Sequence, residues 1–204
     1  MGSGEAWRGF LALMAELNLV LALIGLGFAL APLREGTLAG ATLLFVGSDV
    51  AAALSTHELM NQIAGIEIRL VNGTFLGALA SVIAGAALLA PDIVATPIGL
   101  IAAVGNGLIT GGVIAATTPA GGDELSFTVG ALSASILLVT VALTGRRLLG
   151  SPAWTRIAGK ILGAWLVAIA VLLVALPTRH SPPKPSAISS VPAPPKAFRS
   201  VVPP

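Results

Sequence analysis

The chain of 204 residues contains no cysteine. This absence excludes disulfide bonds, thiolate metal sites and a cysteine nucleophile. Charged residues are also scarce, at 10% of the chain, against about 25% in a typical soluble domain. Because a surface in water needs polar groups, a chain with so few charges and a mean hydropathy of +0.95 must place most of its surface against lipid. The composition predicts an integral membrane protein and excludes a soluble domain.

Aromatic residues make up only 4% of the chain, and the formal net charge is only +2. The sequence has no basic stripe with interleaved aromatic residues, which a nucleic-acid-binding surface would need for neutralising phosphates and stacking bases. The small basic excess fits a membrane surface or an acidic partner instead. We therefore expect the lipid bilayer as a partner and no nucleic acid.

Six continuous apolar runs are long enough to cross a hydrocarbon core, which takes about 20 residues. Lipid offers the backbone no hydrogen bonds, so such runs must be helices. The predicted helices are Phe10–Leu33, Thr37–Ser55, Gly65–Leu89, Ile93–Ala116, Leu125–Thr144 and Ala158–Leu176. The sequence thus predicts an all-α bundle of six transmembrane helices with short loops over residues 10–176, after an N-terminal segment of residues 1–9.

Residues 177–204 differ in character, because they are rich in proline, serine and lysine and contain pairs such as Pro182-Pro183. This composition is typical of an extended or disordered segment. We predict a Pro-rich C-terminal tail, and we expect protein partners to contact it.

The distribution of cations predicts an orientation. Six crossings place both termini on one side of the membrane. The opposite side carries the cations Arg34, Arg146, Arg147, Arg156 and Lys160, and the terminal side carries Arg8, Arg179 and Lys184 close to the membrane. The positive-inside rule counts such residues near helix ends, and it predicts that the termini are external.

Glycine pairs with three residues between them occur at Gly36/Gly40, Gly73/Gly77 and Gly107/Gly111. This spacing lets helix backbones approach closely in lipid, where van der Waals packing holds helices together. We expect about half of these pairs to lie in helix contacts, the others being chance spacing in a glycine-rich chain.

Polar residues within the apolar runs fall in the half of the membrane nearer the termini. They are Glu16, Asn18, Asp49, Glu67, Arg69, Asn72, Asn106 and Thr110. An ionised group at a helix centre costs about 2.5–3.5 kcal/mol on insertion scales, so these groups should face the bundle interior.

Two interpretations of this intramembrane cluster remain open. It is either a polar vestibule that binds a cation or small solute, or a structural network that fixes helix register. In the structural interpretation, Asp49 or Glu16 pairs with Arg69. Asn72 and Asn106 then provide hydrogen bonds between helices.

Residues for metal binding or catalysis are not evident in the sequence. The only histidines, His57 and His180, do not have metal-ligand spacing, and no nucleophile has a placed base. We therefore predict no metal, no cofactor and no enzymatic activity.

Three short stretches of the apolar runs carry a family resemblance. They are residues 63–67, Ile-Ala-Gly-Ile-Glu, with Gly77 after them; residues 106–111, Asn-Gly-Leu-Ile-Thr-Gly; and Glu16 in the first run. Together with the helix pattern, they resemble the HupE/UreJ family of small nickel or cobalt permeases. The first stretch resembles the family's P-G-V-E-L segment and its later glycine, and the second is similar to the family's H-G-H-A-H-G segment. Glu16 stands where the family has the aspartate of its H-P-x-x-G-x-D-H motif.

The histidines that the family would use to hold metal are absent. Their positions read Phe10, Leu17, Asn106, Leu108 and Thr110. Imidazole is the natural ligand for Ni²⁺, so the resemblance implies a divergent member that no longer moves nickel. We hypothesise an accessory or scaffold subunit of a larger complex in the bacterial inner (cytoplasmic) membrane. The alternative is a small permease for a metal cation or another small polar solute.

Overall fold

A computed structural model describes residues 3–63, 73–119, 123–150 and 153–175. Regular structure within these ranges is entirely helical, which confirms the predicted all-α class for the described residues. The helices are α1 (Ser3–Ala15), α2 (Leu17–Leu30), α3 (Glu35–Ile63), α4 (Gly73–Leu89), α5 (Ala95–Thr117), α6 (Glu124–Leu148) and α7 (Ala153–Ala175).

Four of these helices are long and apolar enough to cross a membrane: α5, α6, residues Glu35–Ser55 of α3 and residues Trp154–Ala175 of α7. A fifth crossing is counted if α1 and α2 together form one broken span. Helix α4 has 17 residues in the described part of the chain, fewer than the roughly 20 that a crossing takes. Its predicted N-terminal part, residues 65–72, lies outside the described residues, so six crossings remain a prediction.

The predicted first helix, Phe10–Leu33, is wrong as a single element. The chain is helical from Ser3, within the predicted N-terminal segment, and it breaks at Glu16, where φ is −80° and ψ is 75°. The axes of α1 and α2 differ by 83°. Glu16 is the one charged residue between Arg8 and Arg34. The break leaves its side chain partly exposed, which avoids the cost of burying an isolated carboxylate.

The start of α6 is set by a side-chain cap. The Asp123 carboxylate accepts hydrogen bonds from the Ser126 hydroxyl at 2.6 Å and from the Ser126 backbone N–H at 3.2 Å. An aspartate at this position satisfies a backbone donor that the first helical turn leaves free. The same two hydrogen bonds hold the pKa of Asp123 below its ordinary value, and the bond from the hydroxyl has the larger effect.

The C-terminal ends of α2 and α6 and the N-terminal end of α5 meet at one end of the bundle. Arg147, at the end of α6, donates hydrogen bonds to the carbonyl oxygens of Ala31 and Leu33 at 3.4 and 3.3 Å. Leu30 and Leu33 also pack against Gly99, near the start of α5. We call this the connection end, defined by residues 31–34, 90–94 and 149–150.

Helix α3 packs most extensively on α5, and two glycines make that contact possible. A methyl group on Gly107 would overlap Ser48 Oγ and lie 2.5 Å from the Phe45 carbonyl oxygen. A methyl group on Gly111 would overlap the Asp49 carbonyl oxygen and lie 2.8 Å from Ala52 Cβ. The backbones of α3 and α5 therefore touch directly, so Gly107/Gly111 is one of the predicted pairs that lie in a helix contact.

The other predicted glycine pairs behave differently. A methyl group on Gly36 or Gly40 would meet nothing within 4 Å, so among the described residues this pair forms no helix contact. A methyl group on Gly77 would lie 3.0 Å from Asn18 Cβ, which places Gly77 in the contact between α2 and α4.

Large apolar side chains remain exposed along the helices that could span a membrane. Leu43 on α3 is 72% exposed, Ile101 on α5 is 69% exposed and Trp165 on α7 is 65% exposed. In water such a surface would drive aggregation, whereas in lipid it meets acyl chains at no such cost. The apolar exterior agrees with a membrane-embedded bundle.

The glycine contact between α3 and α5 supports a first prediction. Gly111→Ala should lower the free energy of unfolding by about 1–3 kcal/mol, because the new methyl group forces the two backbones apart. The adjacent Gly112 is the matched control, since a methyl group there meets nothing within 4 Å, and Gly112→Ala should cause no loss. Unfolding with SDS, followed by circular dichroism, measures both. Equal losses from the two variants would contradict the described contact.

Candidate functional site

Asp49 is the most deeply buried ionisable side chain among the described residues. It lies on α3 with 0% of its surface exposed. The Ser135 hydroxyl of α6 contacts its Oδ2 atom at 2.8 Å, so one hydrogen bond joins two helices through the bundle interior. The Oδ1 atom has no hydrogen-bond partner within the described part of the chain.

The Ser135 hydroxyl has two acceptors within hydrogen-bond distance. It donates to Asp49 Oδ2 at 2.8 Å and to the Leu132 carbonyl oxygen at 2.9 Å. Because a hydroxyl has only one proton, the two acceptors share it. Asp49 therefore has a single, shared donor among the described residues, which is few for a buried carboxyl group.

Asn106 and Thr110 on α5 are also completely buried. The Asn106 amide nitrogen donates to the Ala102 carbonyl oxygen at 3.0 Å, and the Thr110 hydroxyl donates to the Asn106 carbonyl oxygen at 2.8 Å. Both bonds lie within α5, so neither of them is the interhelical hydrogen bond that the sequence predicts for Asn106. The Asn106 Oδ1 atom has no hydrogen-bond partner among the described residues.

Asn18 and Glu16 lie where α1 and α2 meet. The Ser81 hydroxyl of α4 donates to the Asn18 backbone carbonyl oxygen at 3.2 Å, so it is the Asn18 backbone that joins α2 to α4. Glu16 is partly exposed at the break between α1 and α2. Neither side chain is shown in contact with Asp49, so the bonds given for this region do not place them in one site with it.

The buried polar side chains of α3, α5 and α6 share one depth in the bundle. Gly107, which follows Asn106, and Gly111, which follows Thr110, both pack against the α3 backbone next to Asp49. Ser135 reaches the same level from α6. We call Asp49, Asn106, Thr110 and Ser135 the buried polar layer.

Three predicted members of the intramembrane cluster, Glu67, Arg69 and Asn72, lie outside the described residues. The predicted pairing of Arg69 with Asp49 or Glu16 therefore stays a prediction. Within the described ranges, the side-chain partner of Asp49 is a hydroxyl group.

Four cavities lie near the helix ends. Two at the connection end have volumes of about 380 and 550 Å³, a third there has about 270 Å³, and a fourth at the opposite end has about 220 Å³. The fourth is lined by Ala53, Thr118, Glu124 and Thr128, among others. Asp49 lines none of these four cavities. Within residues 3–63, 73–119, 123–150 and 153–175, no three His, Cys, Asp or Glu side chains are placed to hold a metal ion.

Sequence reasoning missed Ser135. Small residues at 130, 131, 134 and 135 follow a helical spacing, which predicts a packed face but does not distinguish a serine that bonds another helix from one that fills space. The distinction depends on which residue of α3 lies opposite Ser135, and the sequence of α6 gives no information on that residue.

Comparison of the chain with protein-family models, curated proteins and solved structures finds no match.

The bond between α3 and α6 supports a second prediction. Ser135→Ala should lower the free energy of unfolding by about 1 kcal/mol, since interhelical bonds in membranes contribute about that much. Ser133 is the matched control, because its exposed hydroxyl bonds only to Val129 within α6, and Ser133→Ala should have little effect. Steric trapping or SDS unfolding measures the difference. If Ser133→Ala cost as much, the interhelical bond would carry no stability.

Proposed function

We propose that this chain is a non-catalytic membrane protein that serves as an accessory or scaffold subunit of a larger membrane complex. The observation that supports this most is the direct backbone contact between helices beside its buried acid. A solute pathway needs a passage, but at Asp49 the backbones of α3 and α5 touch through Gly107 and Gly111. Asp49 itself is fully buried. A closely packed core with an apolar exterior suits a protein that presents helix faces to lipid and to other subunits.

The proposal also explains the altered residues in the HupE/UreJ resemblance. Two positions where the family would have histidines, Leu17 and Leu108, are 66% and 49% exposed, whereas Asn106 and Thr110 are completely buried. Side chains in such different environments do not form one ligand set. We propose a divergent bundle that retains helix packing without nickel chemistry.

We propose six crossings in a bacterial inner membrane. In this arrangement, α1 and α2 form one broken crossing, and α4 together with residues 65–72 forms another. The connection end carries Arg34, Arg146, Arg147, Arg156 and Lys160, so the positive-inside rule assigns it to the cytoplasm and the termini to the outside.

Purification from the native membrane tests the scaffold role. The full chain in mild detergent should copurify with the same partners in fixed stoichiometry. Deletion of residues 177–204 should reduce that association while leaving the thermal unfolding of the bundle unchanged, because the proposed partner contact lies in the tail. Native gel electrophoresis with mass spectrometry is the measurement. A lone monomer with a protease-sensitive tail would refute the proposal.

A specific observation favours one alternative function. Asp49 Oδ1 and Asn106 Oδ1 are buried acceptors without hydrogen-bond partners in the described part of the chain. Such acceptors are rare in packed interiors, and carboxylate and carbonyl oxygens bind protons and cations. The alternative is therefore a small permease in which Asp49 binds the transported cation.

Flux measurements separate the two functions. If the chain is a permease, proteoliposomes should take up protons or Ni²⁺, as reported by entrapped dyes, and Asp49→Asn should abolish uptake by removing the ionisable group. Asp123→Asn is the matched control, because it makes the same chemical change at an exposed cap where asparagine is equally suitable. Absence of flux, or equal flux in both variants, would remove the permease alternative and leave the scaffold role intact.

A further inference from the structure

A cavity of about 380 Å³ opens between α2, α4, α6 and α7 at the connection end. Its walls are chemically divided. Apolar side chains, among them Phe28 and Leu88, line one part, and the cations Arg146, Arg156 and Lys160 line the other. The cavity therefore offers an apolar surface and a positively charged surface to a single ligand.

The charges of this cavity are unbalanced. Its lining contains three cations and one carboxylate, Asp92. Within the described ranges, Arg156 and Lys160 form no hydrogen bond or ion pair, and Arg146 uses one nitrogen to donate to the Gly150 carbonyl oxygen at 2.7 Å. Guanidinium and ammonium groups with free donors bind phosphate strongly. The cavity has an excess of positive charge and free donors for an anion.

Two of these cations lie near the start of the candidate membrane span of α7. The candidate span of α7 begins at Trp154, whose side chain is 56% exposed. Tryptophan is enriched where hydrocarbon meets headgroups. Arg156 and Lys160 follow within the next two turns and are exposed. Their side chains can extend toward the membrane surface from there, which places their charged ends at the depth of lipid phosphates.

We propose that this cavity binds an anionic phospholipid, with the phosphate held by Arg146, Arg156 and Lys160. An acyl chain extends from it along the apolar wall that contains Phe28 and Leu88. Basic pockets between transmembrane helices bind such headgroups because charge and apolar contact act together. The apolar wall favours a lipid over free phosphate, and the excess of cations favours an anionic lipid over a zwitterionic one. This inference does not depend on the scaffold role or on the permease alternative.

Native mass spectrometry of the full chain tests the site. The protein is reconstituted in nanodiscs that contain equal amounts of phosphatidylglycerol and phosphatidylcholine, and is then released into detergent. We expect retained phosphatidylglycerol, and we expect the double variant Arg156→Gln/Lys160→Gln to reduce its affinity roughly tenfold, since each cation near the surface contributes measurably to anionic lipid binding. The charge-conserving variant Arg156→Lys/Lys160→Arg should keep most of the binding.

The matched control is Arg8→Gln/Arg34→Gln, which removes the same net charge outside this cavity and should leave lipid retention unchanged. If both double variants lost phosphatidylglycerol equally, binding would depend on the general surface charge, and the proposed site would be wrong. Equal retention of phosphatidylcholine would also overturn it. Displacement of the lipid by millimolar inorganic phosphate would show that the apolar wall contributes nothing to binding. The ligand of the cavity would then be a simple anion and not a lipid.

Discussion

The burial of Asp49 is the constraint on which the interior of this protein depends. Lipid cannot hydrogen-bond a carboxyl group, so a chain that carries one within a membrane-spanning stretch must enclose it in protein. Three helices form that enclosure, because α3 carries the residue, α6 supplies the Ser135 hydroxyl and α5 closes over the backbone beside it. Helices that are far apart in sequence thus meet around one buried polar group.

Close approach of the backbones is what makes this enclosure possible. Larger residues at Gly107 and Gly111 would separate α3 from α5 and open a gap beside the acid. The same device recurs where Gly85 on α4 meets Gly163 on α7, since a methyl group on either would lie within 3 Å of the other's carbonyl oxygen. In a protein with few aromatic residues, van der Waals contact between backbones replaces the large side chains that fill most soluble cores.

The sequence predicted the parts of this structure that follow from local chemistry. Long apolar runs predicted helices, and the cost of burying polar groups predicted that Asp49, Asn106 and Thr110 point inward. The break at Glu16 was not predictable, because an apolar run with one carboxylate also describes a straight helix that faces a polar interior. Ser135 was missed for a related reason. A hydrogen bond between helices that are distant in sequence depends on how each helix is rotated about its axis, and the local sequence does not determine that rotation. Glu67, Arg69 and Asn72 lie outside the described residues, so their predicted roles remain open to test.

The polar side chains of the described residues form two groups. One is the buried polar layer, and the other is the set of exposed cations at the connection end. The buried polar layer carries an acidic group, Asp49, whose side chain is fully enclosed by the bundle. The connection end carries cations that line an open, partly apolar cavity. Because Arg147 bonds the end of α6 to the carbonyl oxygens after α2, these two helices, which both line that cavity, are held together at the connection end. A lipid bound there would contact the C-terminal end of α6, the helix that also contributes Ser135 to the interior.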